Sequence, residues 1–217
     1  MSDFTLVIAN KAYSSWSLRP WLAMRMAGIN FDEVVIPLRQ PDTAERIARH
    51  SPAGKVPILH AGSTTIWDSM AILEYLAERF PDRRLWPTDP GARAHARCVS
   101  AEMHAGFAAL RSNMPMQVLK SLPGRGRTPD VDQDISRILA LWADCRARFG
   151  ADGPFLFGAF CNADAMFAPV VTRFRTYGVT LDAVGNAYSA AVLALPAMAA
   201  WCAEAAVEPW TITYDIV

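Results

Sequence analysis

Apolar positions along the chain fall into two regimes, with the change near residue 80. In the first, short apolar runs are interleaved with amphipathic ones. Phe4-Thr5-Leu6-Val7-Ile8-Ala9 is short, apolar and partly β-branched, the pattern of a buried strand. Leu18, Leu22 and Met26 recur four apart, with Trp21 beside them and Gly28 as a stop, so a helix is expected over 18–27. Pro20 lacks an amide hydrogen and belongs in a first helical turn, which puts the N-cap between Trp16 and Ser17 or slightly earlier, with Ser17 favoured. Residues 30–38 alternate and end apolar, predicting a second strand and with it a β-α-β unit of parallel strands. Residues 41–50 are polar and read as a short exposed helix. A Pro/Gly turn then leads into Val56-Pro57-Ile58-Leu59, and Thr64-Thr65-Ile66-Trp67 follows the turn at 61–63, which together read as a hairpin. Ile72, Leu73, Leu76 and Phe80 share one face of a helix that Pro81 ends.

Pro81, Pro87 and Pro90 mark a linker, and beyond it strand patterns nearly vanish. Val99, Met103, Phe107, Leu110 and Met114 fit one face of a single helix, with Pro115 kinking or ending it. Ile135, Ile138, Trp142, Cys145 and Phe149 mark another, closed by Gly150, while residues 162–177 and 196–206 read as two more. Residues 208–214 are too aromatic for a disordered tail and are expected to pack back on the body. The fold class is therefore α/β plus all-α. A mixed four-stranded sheet with helices on its faces occupies 1–80, a linker 81–90, and an all-helical domain 91–217.

With 52% hydrophobic residues in 217, the chain has enough apolar surface to build real cores. Lys+Arg and Asp+Glu both total 21, and the absence of a basic run argues against a nucleic-acid partner or an acidic membrane surface. No apolar run approaches the roughly twenty residues that span a bilayer, and Met1-Ser2-Asp3 leads into a strand, not a signal peptide; a cytoplasmic location is expected. Cys98, Cys145, Cys161 and Cys202 form no C-x-x-C, and His50, His60, His95 and His104 are equally dispersed, so no metal site is expected.

Candidate chemistry gathers at Tyr13-Ser14-Ser15-Trp16-Ser17, at the start of the first helix. Unpaired amides and the positive end of the helix dipole favour an anion there, a thiolate being one; the same serines also suit plain capping. A cis peptide at Val56-Pro57 would turn the Val56 amide and carbonyl toward a peptide ligand's main chain. Asp68 and Ser69, before the third helix, suit an ammonium and a carboxylate, or an ordinary acidic cap. Asp164, three residues after Cys161, can accept backbone amides and set the entry angle of its helix, a structural role.

In this order and spacing, Ser51-Pro52-Ala53-Gly54-Lys55-Val56-Pro57-Ile58-Leu59, Asp68-Ser69-Met70-Ala71-Ile72 and Ala163-Asp164 resemble the glutathione S-transferase family over essentially the whole chain. The resemblance implies a thioredoxin-like N-terminal domain that binds glutathione, a helical domain that supplies a hydrophobic co-substrate pocket, and a homodimer. Ser14-Ser15-Trp16-Ser17 is similar to the serine-type motif of the zeta and related classes, in which a serine five residues before an arginine hydrogen-bonds the glutathione sulfur; Ser14 holds that place relative to Arg19. By that resemblance Ser14 is the catalytic residue, and Ser15 a second donor or cap. Val56 with Pro57 would pair the cysteinyl backbone, Asp68 and Ser69 would hold the γ-glutamyl end, and Lys55 with Arg39 would lie near the glycyl carboxylate. Trp16, Met114 and Trp210 are candidates for the pocket of a small hydrophobic electrophile, or are core. Two departures stand out: Cys161 occupies a capping position usually held by Ser or Thr, and Trp16 replaces the zeta motif's cysteine, which points away from that class's isomerase chemistry. The expected activity is thus a glutathione transferase, with a maleylacetoacetate isomerase-like enzyme or a non-catalytic binding protein as alternatives.

Overall fold

The computed structural model describes residues 3–216. The chain begins with β1 (Phe4–Ile8), α1 (Ser15–Met26) and β2 (Asp32–Val35), then passes through α2 (Thr43–Ala48) into the hairpin β3 (Ile58–Ala61) and β4 (Thr64–Ile66), and closes the layer with α3 (Ser69–Arg79). The strands form one mixed sheet in the order β2-β1-β3-β4, with β1 parallel to β2 and antiparallel to β3. Leu6 and Ile8 point to the face that α1 and α3 cover with Leu18, Trp21, Leu22, Ile72 and Leu76. Val7 and Ile58 point to the other face and meet Ile47 of α2. The period of two along β1 thus supplies both layers of packing.

The rest is helical: α4 (Pro90–Ala105), α5 (Ala108–Asn113), α6 (Pro129–Phe149), α7 (Asn162–Tyr177), α8 (Ala183–Leu193) and α9 (Pro196–Ala206). Almost every residue of α7 is buried, because α1, α4 and α8 all pack on it. Its entry is set as the sequence suggests. Asp164 accepts the Cys161 amide at 2.8 Å and the Leu156 amide at 3.1 Å, and Gly178, at φ +63°, ends the helix in the left-handed region that glycine tolerates. Among the described residues no single helix is long and apolar enough to cross a membrane.

Two expectations are corrected, and one helix is found that the sequence pattern does not predict. The helix over Val99–Met114 is two helices, broken where Gly106 is extended and Phe107 takes φ +61°; Phe107 stays buried, so the apolar period runs on through the break. Helix α8 is not apparent from hydropathy, since small residues line it all round and leave no stripe. The first helix starts at Ser15, with Ser14 and not Ser17 as its N-cap, which places Pro20 in the second turn. There Pro20 forgoes a single intrahelical hydrogen bond.

The sheet layer and the helices share one core. At its edge Lys11, 5% exposed, pairs through Nζ with Glu33 of β2 and Glu204 of α9. Its carbonyl accepts the Trp201 indole N–H at 2.8 Å, its amide donates to Glu208, and its ammonium lies over the Trp21 and Trp201 rings. The turn between β1 and α1 is therefore gripped from the far end of the chain.

Candidate active site

That turn delivers three serines. Ser14, Ser15 and Ser17 are all at most 6% exposed, so their hydroxyls must find partners within the protein or a ligand. Ser17 Oγ accepts the Ala9 amide at 3.0 Å and lies 2.7 Å from Ser14 Oγ, which itself accepts the Ser17 amide at 3.3 Å. Ser17 is wholly buried, and the acceptor in reach of its hydrogen among the described residues is Ser14 Oγ. The direction follows: Ala9 N–H to Ser17, Ser17 O–H to Ser14. Both lone pairs of Ser14 are then used, and its own hydrogen is left to donate outward. Ser15 is the first helical residue, and its oxygen accepts from Arg173 Nη2 at 3.2 Å, so its hydrogen is also left over.

Cationic side chains surround this helix end. Arg19 is fully buried, with Nη1 3.4 Å from Ser69 Oγ, and its Nε and Nη2 have no partner among the described residues. Arg111 donates to the Gly106 and Met103 carbonyls and leaves Nη1 buried without one. Arg173, 4% exposed, donates to the Met114 carbonyl at 2.8 Å and the Pro169 carbonyl at 3.3 Å as well as to Ser15. Trp16 stacks with the guanidiniums of Arg19 and Arg111, 4.2 and 4.9 Å from its ring, and meets His104 edge-on. Burial, reinforced by Arg111 and Arg173, holds Arg19 well below the usual guanidinium range; burial and then Arg111 bring Arg173 down to about 9. Guanidiniums keep their proton in proteins, so all three count as positive charges. Asp68 offsets Arg19 and Asp134 offsets Arg111, which leaves the cluster one positive charge in excess. Orphaned buried N–H groups and surplus charge fit an anion.

The remaining candidates divide between this cleft and other duties. The Val56–Pro57 peptide is cis, at the head of β3. Asp68, not Ser69, is the N-cap of α3; it accepts the Met70 amide at 3.0 Å and pairs with His104 Nε2 at 3.0 Å, while Ser69 is buried under Arg19. Lys55 is exposed beside Val56. Arg39 instead donates to the Thr213 carbonyl at 2.8 Å and lies over Tyr214, whose ring also meets Tyr13, so the tail does pack back. Met114 is fully buried and offers its carbonyl to Arg173, which makes its side chain core. Trp210 lines a separate shallow cavity of about 250 Å³ with Tyr13 and Leu119. Trp16 alone of the three pocket candidates lies within the cationic cluster, whose polarity differs from the expected hydrophobic pocket. Arg111, Arg173 and His104 escape a reading of the sequence; the one signal is Arg173, a cation inside the apolar run Met166-Phe167-Ala168-Pro169-Val170-Val171 and Phe174.

The sequence profile described as glutathione S-transferase, N-terminal domain, matches residues 13–79. A probable maleylacetoacetate isomerase of Caenorhabditis elegans is 32% identical over 119 residues, covering 55% of this chain and 56% of that protein. The maleylacetoacetate isomerase of Rattus norvegicus is 34% identical over 126 residues, 57% of each. The match thus spans just over half the length of these relatives. Among solved structures, a glutathione transferase homolog from Burkholderia with bound glutathione superimposes with a TM-score of 0.71 at 20% identity, over 94% of this chain and 98% of that one, a likeness of fold.

Proposed function

We propose, from the premise that the chain belongs to the glutathione transferase superfamily close to its zeta-class members, that it is a glutathione-dependent isomerase of an unsaturated carboxylic acid. The observation that carries this reading is the pair Arg19 and Arg111, whose buried, unpartnered N–H groups lie in one cationic cluster with Arg173 and two serine hydroxyls that have hydrogens to donate. An anionic co-substrate answers those donors; a purely apolar electrophile leaves them orphaned. The names of the relatives, maleylacetoacetate isomerases, point to the same chemistry.

Glutathione, when bound, supplies a thiol nucleophile. The chain's part is to favour its ionised form and to hold both partners. A free thiol titrates near 8.5, and moving it down by about two units takes roughly 2.7 kcal/mol. One hydroxyl donating to an anion contributes about 1.5–3 kcal/mol, and a helix N-terminus roughly 0.3–1 more, so Ser14 with the α1 amides supplies a large part of that figure. Ser14 acts as donor, not nucleophile. Val56 main-chain groups beside Pro57 pair the cysteinyl backbone, Asp68 and the start of α3 at Ser69 take the γ-glutamyl end, and Lys55 faces the glycyl carboxylate. Arg39 is left out of this set because the tail engages it. Trp16, half-buried between two guanidiniums, walls the co-substrate side and holds the cations apart.

The part of the Trp16 ring left exposed is the one feature that favours the second reading, conjugation of an aromatic electrophile. The two differ in stoichiometry, since conjugation consumes glutathione and isomerisation returns it. With a cis-unsaturated keto acid and catalytic glutathione, cis-to-trans turnover is expected, and Arg111→Leu is expected to raise KM for the acid about tenfold. Turnover of aryl halides with equimolar loss of thiol, and none of the keto acid, would decide for conjugation.

A further inference from the structure

Arg173 carries a charge with no carboxylate partner among the described residues, and its contacts are two main-chain carbonyls and one hydroxyl. Such a buried cation is costly unless something answers it. The carbonyls of Met114 and Pro169 fix two edges of the guanidinium fork, and the third edge is thereby aimed at Ser15, 158 positions earlier in the chain. With an oxygen lone pair taken by a cation, Ser15 turns its hydrogen away from Arg173, toward the helix end that it shares with Ser14.

We propose that Arg173 is a positioning residue for thiol activation: it locks Ser15 as the second hydroxyl donor to the glutathione sulfur and supplies the positive charge that the thiolate answers. This rests on glutathione binding as set out above. The bound thiol gives its proton to solvent, no covalent bond of the protein changes, and the thiolate removes the surplus charge of the cluster. The ionisable groups that act on Arg173 are Arg19 of α1, Arg111 of α5, Tyr177 of α7 itself and Tyr214 of the tail. The two arginines favour the thiolate through space, so the part owed to Arg173 is isolated by coupling it to Ser15. A lysine retains the charge but lacks the planar fork that reaches three acceptors at once.

The test is the ultraviolet thiolate absorption of glutathione bound to the full chain, titrated against pH. Arg173→Gln is expected to raise the midpoint by about one unit, a tenfold loss of thiolate below it, and Arg173→Lys to restore part of the shift. Turnover should fall about tenfold while KM for glutathione stays within about twofold. Ser15→Ala should produce a shift of the same sign, and the double variant no more than the larger single one. An unmoved midpoint in folded Arg173→Gln overturns the proposal, as do two shifts that add in full. Should Arg173→Gln fail to fold, Ser15→Ala alone decides: an unmoved midpoint overturns, a raised one supports. Wild-type chain that binds glutathione without lowering its midpoint overturns the activation scheme, and wild-type chain that binds none overturns the functional reading with it.

Discussion

Ser17 meets no ligand in the proposed arrangement, yet its removal is expected to weaken both the fold and the thiol chemistry. Its hydroxyl accepts the Ala9 amide at 3.0 Å and donates to Ser14 at 2.7 Å, and both Ala9 and Ser17 are fully buried. In Ser17→Ala the Ala9 N–H is left unpaired away from water, which costs about 1–3 kcal/mol, and one hydroxyl bond worth about 1 kcal/mol is lost. The sum, about 3 kcal/mol, lowers the Tm of a 217-residue chain by roughly 6–12 °C. Against a usual margin of about 5–15 kcal/mol the variant still folds at room temperature. Ser14 keeps its bond from the residue 17 amide but loses the hydroxyl that directs its hydrogen outward, so the titration of bound glutathione should move up by about half a unit to one unit. Chemical denaturation reads the first effect, and thiolate absorption against pH reads the second. Stability within about 0.5 kcal/mol of wild type, the range of an uninvolved surface change, would refute the hydrogen-bond accounting. A destabilised variant with an unmoved thiol would refute the relay and leave Ser17 a purely structural residue.

Two further outcomes follow from charged groups. Asp68→Asn keeps an oxygen for the Met70 amide but removes the charge offered to the γ-glutamyl ammonium, so KM for glutathione should rise about tenfold with kcat nearly unchanged in steady-state kinetics; a fall in kcat at constant KM would assign Asp68 to the chemistry instead. Asp164 is pushed up to about 6 by burial, against the pull of the Cys161 and Leu156 amides. A carboxyl with a folded-state pKa above its unfolded one binds protons more tightly when folded. Its contribution is complete below about pH 4 and is lost as pH rises toward 6, by roughly 3 kcal/mol for a shift of about two units. The stability gap between wild type and Asp164→Asn, from denaturation curves at several pH values, should therefore widen as pH falls from 6 to 4. A gap that does not change with pH would show that Asp164 titrates at its ordinary value.

How far the site could be read from the chain depended on whether local pattern or long-range contact decided each part. The strands, the α3 helix with its acidic start, and the Asp164 cap rest on local spacing, and each lies where that spacing puts it. The register of the first helix does not. Ser14, Ser15 and Ser17 are equally good caps by type, and the choice is made by the Ala9 amide, which takes Ser17 and leaves the cap to Ser14. The break between α4 and α5 is hidden because Phe107 and Leu110 keep the apolar period while the backbone turns. The arginines were least legible, since arginine is by type a surface residue and only tertiary contact, such as that from Arg173 to Ser15, brings one inside. Their convergence also changes the character of the expected pocket from apolar to cationic.

The grip on Lys11 bears on how such a chain can be inherited. Its partners come from β2 on one side and from α9 and the segment just after it on the other, so segments far apart in the chain have to match at this point. A crossover in the proline-rich stretch between Pro81 and Pro90 looks like a clean exchange of modules. It would nonetheless set Lys11 and Trp21 against a foreign last helix and strand a buried ammonium. Recombinants that keep Trp201, Glu204 and Glu208 together with the first twenty-one residues are the ones expected to yield soluble protein. For recombination, the first helix and the last are expected to behave as one unit, interrupted in the chain by everything between them.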